Sequence, residues 1–183
     1  AYGDNVLIDD FSYIFLKNDR VGFIGPNGSG KSTLMKMIIG EMVPDYGNIE
    51  IGQTVKISYF AQEIGDDIMD PKQRVIDYIR DVAEFVQTAD GQISAARMLE
   101  RFLFAGEDQY GLIGKLSGGE RRRLHLCRVL MEAPNVLILD EPTNFVDNNF
   151  EREFYALVKQ LHERMAVMIV SHDVGTITSL VNA

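Results

Sequence analysis

The chain has 183 residues, 46% hydrophobic and 25% charged, which is enough for one ordinary domain, with room for two lobes, that buries a real core. No run approaches the ~18 consecutive apolar residues of a membrane span, and no leader pattern opens the chain, so a cytoplasmic, unexported domain without direct membrane insertion is expected. A formal charge of −9 argues against a broad surface for nucleic-acid backbones, although local basic patches remain open.

Residues 1–16 are mixed, with Val6-Leu7-Ile8 and Tyr13-Ile14-Phe15-Leu16 reading as strand pieces. No initiator methionine or cap opens them, so a first strand is expected to be missing. Asn18-Asp19 turns the chain into an apolar strand at 21–24, followed by Gly25-Pro26-Asn27-Gly28-Ser29-Gly30-Lys31-Ser32-Thr33 and a helix that stops near Gly40. Pro44-Asp45-Tyr46-Gly47 is a turn signal. Residues 48–51 and 56–60 then alternate polar and apolar around Gly52, which predicts an antiparallel hairpin. The acidic stretch 63–70 lacks the spacing of a calcium loop and reads as exposed loop.

From Asp70-Pro71 the period becomes helical: Val75, Ile76, Ile79, Val82, Ala83 and Val86 fall on one stripe, with Asp70 as cap and Pro71 in the first turn. Gly91 breaks this helix, and Ile93, Ala96, Met98, Leu99, Phe102 and Leu103 predict a second. Ser117-Gly118-Gly119-Glu120 opens another helix carrying Leu124, Cys127, Leu130 and Met131; Cys127 reads as a small buried side chain and Arg121-Arg122-Arg123 as a solvated face. Residues 136–139 form an apolar strand ending in Asp140-Glu141. Phe150, Phe154, Leu157, Val158, Leu161 and Met165 mark an amphipathic helix, and 166–170 a last buried strand before Ser171-His172-Asp173. Apolar strands separated by helices imply a mostly parallel sheet covered on both faces.

The segment 25–33 satisfies the full phosphate-loop pattern G-x-x-x-x-G-K-[ST] between a strand and a helix, the context that pattern needs. Its glycines let successive N–H groups point at one anion, to which the helix adds its positive end. Lys31 would reach the β- and γ-phosphates and Ser32 would hold Mg²⁺. Asp140, at the carboxyl end of a strand, can hold the Mg²⁺ shell, and Glu141 can orient and deprotonate the attacking water. Gln62 offers an amide to Mg²⁺ or water, and His172 could hydrogen-bond a γ-phosphate from the side. Ser117 and Glu120 form the capping box S-x-x-E, which needs no ligand, yet Gly118 and Gly119 also expose N–H groups to an anion. With the phosphate loop already serving this chain's own nucleotide, that second anion site would face another molecule.

The order of these five motifs resembles that of ABC-type ATPase domains, with an α/β P-loop NTPase fold containing an antiparallel β portion and an inserted helical lobe. The resemblance implies a single domain, 1–183, with a nucleotide-binding core at 1–62 and 115–183 and a helical subdomain at 63–114. It further implies Tyr2 as the adenine-stacking aromatic, Gly25, Asn27, Gly28, Ser29, Gly30, Lys31, Ser32 and Thr33 around the phosphates, and Gln62 as the Q-loop residue. Ser117, Gly118 and Gly119 would make signature contacts, Asp147 would be the D-loop residue, Glu141 the catalytic base and His172 the switch. In that family two domains pair head to tail around ATP and Mg²⁺.

Up to about Asn144 the chain resembles the ABC-F subfamily, soluble paired ATPases associated with ribosomes and translation. Asn144-Phe145-Val146-Asp147 departs from that subfamily's pattern, and the tail resembles bacterial metal-ion importer ATPases, the pattern a mosaic chain would give. An ABC-F protein carries two such domains and a charged linker; this chain has one domain, no linker, and about ten residues after His172, so truncation at both ends is expected. Two alternatives to the ABC-F reading follow. One is an importer's ATP-binding subunit docked on a membrane permease, the other an isolated or engineered fragment that binds ATP without useful turnover.

Overall fold

The computed structural model describes residues 6–62, 65, 68–88, 91–142, 150, 154, 156–158, 165–172, 175, 177 and 178. Its centre is a four-stranded, wholly parallel sheet. The strands are β1 (Arg20–Ile24), β2 (Ile57–Phe60), β5 (Val136–Asp140) and β6 (Ala166–Ser171), in the spatial order β1-β6-β5-β2. The register pairs Ile24 with Ser171, Asp140 with Val170, and Phe60 with Leu139, so all four strands end along one edge. Whatever follows each strand in sequence therefore meets at that edge, where open α/β sheets hold their ligands.

Period-two alternation sends side chains to both faces, and both are buried. Leu137, Leu139, Val167 and Ile169 join one core with Phe60, Phe150, Phe154, Leu157 and helix α4 (Gly118–Met131). Ile138, Met168 and Val170 join the other, with Met35 and Ile38 of helix α1 (Lys31–Ile38). Cys127 is fully buried in the first core, as its apolar setting requires. Burial raises its thiol pKa far above the ordinary range, so it stays protonated.

The antiparallel element lies elsewhere than the sequence predicts. Residues 48–51 form no strand, and β2 pairs parallel with β5. The alternation in Lys56-Ile57-Ser58-Tyr59-Phe60 marks two covered faces rather than one wet face: Ser58 is buried, and its hydroxyl donates to the Glu132 carboxylate just past α4. The actual antiparallel pair is β3 (Phe85–Thr88) with β4 (Gly91–Ser94), inside the stretch read as helical. Helix α2 spans only Val75–Arg80, and α3 spans Ala95–Arg101, capped by Ser94. Val86 and Ile93 are buried from strands, whose period of two the short helical stripe concealed. Asp70 does not cap α2; its carboxylate accepts from the Lys72 N–H in a turn, and Arg74 occupies the N-cap. Residues 6–8 and 13–16 are irregular rather than strands, with Ile14 and Leu16 largely exposed.

The remaining elements agree with the sequence. Phe150, Phe154 and residues 156–158 are helical, with Phe150, Phe154, Leu157 and Val158 buried; Leu161 lies outside the described residues, and Met165, read as the end of this helix, is buried but irregular, directly before β6. Helices α2 and α3 pack on each other and on α4. No helix among the described residues is long and apolar enough to cross a membrane.

Candidate functional site

Strand β1 delivers the loop 25–30 directly to the N-terminus of α1. Gly30, the N-cap, takes φ 90° and Gly28 takes φ 82°, left-handed values that side-chain-bearing residues rarely adopt. Lys31 folds back over the loop, its Nζ donating to the carbonyls of Gly25 at 2.7 Å and Pro26 at 3.0 Å. Those bonds hold its ammonium where an anion in the loop would sit.

The loop opens into a cleft of about 560 Å³ lined by Asn27, Gly28, Gly30, Lys31, Ser32, Thr33, Gln62, Asp140, Glu141 and Leu7. Gly25 and Ser29 shape the loop without lining the cleft. Leu7 was not among the predicted residues; it packs on Gly30, close enough that a Cβ there would lie 3.0 Å from its own Cβ. Nothing in the local sequence around Leu7 signals that approach.

Two carboxylates face this cleft from the end of β5, and their surroundings differ. Asp140 is buried, with Oδ2 accepting from the Tyr59 phenol at 3.0 Å and Oδ1 without a partner among the described residues. Burial first, and then the Asp140 carboxylate, raise the Tyr59 pKa above the usual phenol range, so the hydroxyl remains a donor. An unpartnered, buried carboxylate oxygen on Asp140, in a cleft that Ser32 and Gln62 also line, belongs to a set of oxygen-bearing side chains that fits a hard divalent cation such as Mg²⁺.

Glu141 is also buried, and its carboxylate is fully engaged. His172 donates its backbone N–H to Oε1 at 3.0 Å, its Nδ1 lies 3.0 Å from both Oε1 and Oε2, and the Ser171 hydroxyl donates to Oε2 at 3.3 Å. The backbone of Glu141 is left-handed at φ 49°, a conformation that costs a non-glycine residue about 1–2 kcal/mol. Its N–H donates to the Val170 carbonyl at 2.9 Å and its carbonyl accepts from Arg122 Nη2 at 2.8 Å.

Arg122 corrects the reading of residues 121–123 as a solvated face. Only Arg121 is exposed. Arg122 is 6% exposed, with its guanidinium 4.6 Å from the Phe60 ring centroid, and Arg123 lies 5.7 Å from the rings of both Phe104 and Phe150. Burial lowers the Arg122 pKa, and the nearby carboxylates Asp140 and Glu141 oppose that shift. A run of three arginines signals charge, but which one turns inward depends on the helix's orientation against the sheet.

Ser117, Gly118 and Gly119 lie outside the cleft lining. Both halves of the capping box form: the Glu120 N–H donates to Ser117 Oγ at 3.3 Å, and Ser117 donates its N–H and hydroxyl to the Glu120 carboxylate at 2.7 and 2.6 Å. Those bonds, the side-chain one first, hold the Glu120 pKa below its ordinary value. Ser117 and Gly118 are exposed. Tyr2 and Asp147 lie outside the described residues.

Comparison with known proteins is consistent with this arrangement. Residues 8–144 match the family model described as ABC transporter. The ABC transporter ATP-binding protein YfmR of Bacillus subtilis (strain 168) is 48% identical over 174 residues, covering 94% of this chain and 27% of that protein. The energy-dependent translational throttle protein EttA of Escherichia coli (strain K12) is 42% identical over 174 residues, covering 94% of this chain and 30% of EttA. This chain thus spans less than a third of the length of either relative, and both matches run past Asn144. A solved ABC transporter ATP-binding protein from Pyrococcus furiosus superposes with a TM-score of 0.68 at 27% identity, over 86% of this chain and 80% of that one. With its phosphate loop and paired acids on one edge of a parallel sheet, the chain belongs to the ABC transporter family of ATPases and has the P-loop NTPase fold.

Proposed function

We propose that this chain binds ATP and hydrolyses it, with Mg²⁺, in a site completed by a second ABC-type domain docked head to tail. One observation carries the reading: the phosphate loop, Gln62, Asp140 and Glu141 line one cleft, while the capped Ser117-Gly118-Gly119 turn, exposed at Ser117 and Gly118, is absent from it. A turn of that kind is available to a neighbour's nucleotide.

The roles divide by position. Lys31 exchanges its carbonyl partners for phosphate oxygens, joined by the amides of Gly25, Asn27, Gly28, Ser29, Gly30 and Thr33. Ser32, Asp140 and Gln62 would hold Mg²⁺, which when bound neutralises charge on the phosphates. Glu141 accepts a proton from water as the water oxygen bonds to the γ-phosphorus and the bond to the β-phosphate oxygen breaks. His172 keeps the Glu141 carboxylate aimed and meets the γ-phosphate. We assign Tyr2 to adenine stacking, Asp147 to the facing domain, residues 63–114 to the helical subdomain, and 1–62 with 115–183 to the nucleotide-binding core. The likeness to EttA favours a cytoplasmic, ribosome-linked use of the ATP cycle by the longer protein.

The test is sedimentation of the Glu141→Gln variant with and without Mg²⁺-ATP, with bound nucleotide assayed and wild-type phosphate release measured alongside. A dimer holding two ATP molecules, from a chain whose wild type turns over, is expected. Wild-type turnover in Glu141→Gln would refute the role of Glu141, and an ATP-bound monomer would refute pairing of two copies. Co-purification of the longer protein with a permease rather than ribosomes would overturn the ribosomal assignment.

A further inference from the structure

Arg122 is the buried charge at this site that phosphate chemistry leaves without a role. Its hydrogen bonds among the described residues go to main-chain carbonyls: Nη1 donates to Gln62 and, at 3.5 Å, to Ala61, and Nη2 donates to Glu141 at 2.8 Å. It therefore reads where two backbones are, not which side chains they carry. One of those backbones belongs to the Q-loop and the other to the candidate base.

We propose that Arg122 is a positioning residue that locks Gln62 and Glu141 to helix α4, so that a displacement of the Ser117-Gly118-Gly119 end of that helix reaches both residues at once. Three observations support this. Arg122 stands in the second turn of α4, immediately behind the capping box, which makes helix and cap one rigid piece. The Glu141 backbone is left-handed, and its two main-chain polar groups are fixed by different elements, the N–H by Val170 of β6 and the carbonyl by Arg122 of α4. The guanidinium also rests on the Phe60 ring at the end of β2, so the group that holds Gln62 is itself held by the strand that delivers Gln62.

An arginine suits this task better than an apolar residue of similar length. A planar fork can satisfy two carbonyls from different segments together, and its angular demands make their separation fixed. Loss of the fork frees both carbonyls while leaving the phosphate loop, on the far strand β1, untouched. The inference rests on the ATPase reading above for its consequence on rate, and on geometry alone for the mechanical link.

The experiment compares the wild-type chain with Arg122→Met and Arg122→Lys. Four quantities are measured: affinity for a non-hydrolysable ATP analogue, phosphate release at saturating ATP, thermal midpoint, and hydrogen exchange of peptides covering 57–62 and 136–142. In Arg122→Met, analogue affinity within about two-fold of wild type and turnover lower by about ten-fold or more are expected, since a small misplacement of catalytic groups acts on rate rather than on binding. Exchange is expected to accelerate in both peptides, with partial recovery of rate and protection in Arg122→Lys. Unchanged exchange in either peptide overturns the link, as does exchange that rises throughout the chain with a parallel loss of ATP affinity. A wild type that binds ATP without releasing phosphate overturns the ATPase reading instead, and the exchange comparison still decides for or against Arg122.

Discussion

His172 Nδ1 lies 3.0 Å from both carboxylate oxygens of Glu141, and the His172 backbone N–H donates to Oε1 at the same distance. The end of β6 thus grips the group that β5 presents. Because the register fixes Asp140 against Val170, this grip follows from the sheet itself and does not depend on a mobile loop. Substituting His172 by Ala removes the imidazole and leaves the backbone donor. ATP binding is expected to persist, while turnover falls by about two orders of magnitude, a typical cost of misaligning a catalytic group. Single-turnover phosphate release beside equilibrium binding checks it; proportional loss of both would give His172 a binding role.

Tyr59 and Asp140 form the second pair at the cleft. In Tyr59→Phe, Oδ2 joins Oδ1 without a protein donor, and a buried carboxylate so stripped costs about 1–3 kcal/mol. For a chain of this length that lowers the thermal midpoint by roughly 2–4 °C per kcal/mol. The deficit is expected to shrink when Mg²⁺-ATP is present, because a cation at Asp140 satisfies the same oxygens. Thermal melts with ATP, with and without Mg²⁺, decide it: a deficit unaffected by Mg²⁺ would place the cation elsewhere.

Much of this site is legible before any coordinates because its residues follow strand ends. Reading 21–24 and 136–139 as strands is enough to bring Gly25 and Asp140-Glu141 to the carboxyl edge, since parallel strands share an edge. Gln62 joins them for a reason the sequence hides. Its strand looks half wet, and only Glu132, far along the chain, shows why Ser58 can be buried. Leu7 and Arg122 are illegible for a related reason. Their contacts are with segments remote in sequence, Gly30 for one and Gln62 with Glu141 for the other, and neither carries a local pattern. The lobe fails differently: six residues of helix followed by four-residue strands fall below the length at which periods of 3.6 and 2 can be separated.

His125 carries a pH dependence. Burial, followed by the positive charges of Arg128 and Arg122, lowers its pKa to about 4, against about 6.5 in an unfolded chain. Between those values the unfolded state binds more protons than the folded one, so this residue makes stability rise with pH across that window and contributes no slope above it. His125→Phe keeps a ring against Phe60, whose centroid lies 5.8 Å away, and removes the titration. Urea midpoints at pH 5 and pH 7 are expected to differ less in the variant than in the wild type. Loss of the 3.4 Å contact with Tyr78 shifts both midpoints alike and leaves the difference readable. Parallel pH profiles would mean that His125 titrates normally in the fold.

Ser117 serves the fold and the proposed partner at once, and substitutions separate the two. Ser117→Arg destroys the capping box, at about 1 kcal/mol, whereas Ser117→Asn retains a good N-cap. The arginine variant is expected to melt a few degrees lower, bind ATP within about two-fold of wild type, and lose both ATP-dependent pairing and hydrolysis. Loss of ATP binding to the same extent would place Ser117 on its own chain's nucleotide instead. A mixing experiment is sharper still. Lys31→Ala spoils the phosphate loop, and Ser117→Arg spoils the surface offered to a partner, so each variant alone has no complete site. In a head-to-tail dimer of one with the other, the intact loop of the Ser117→Arg chain faces the intact turn of the Lys31→Ala chain. Each mixed dimer holds one whole site of two, so the activity expected to return lies between about a quarter of wild type, where pairing is random, and about a half, where only mixed dimers form. Two inactive proteins that stay inactive when mixed would mean that ATP is never shared between copies of this chain, and its partner would then have to be a different domain.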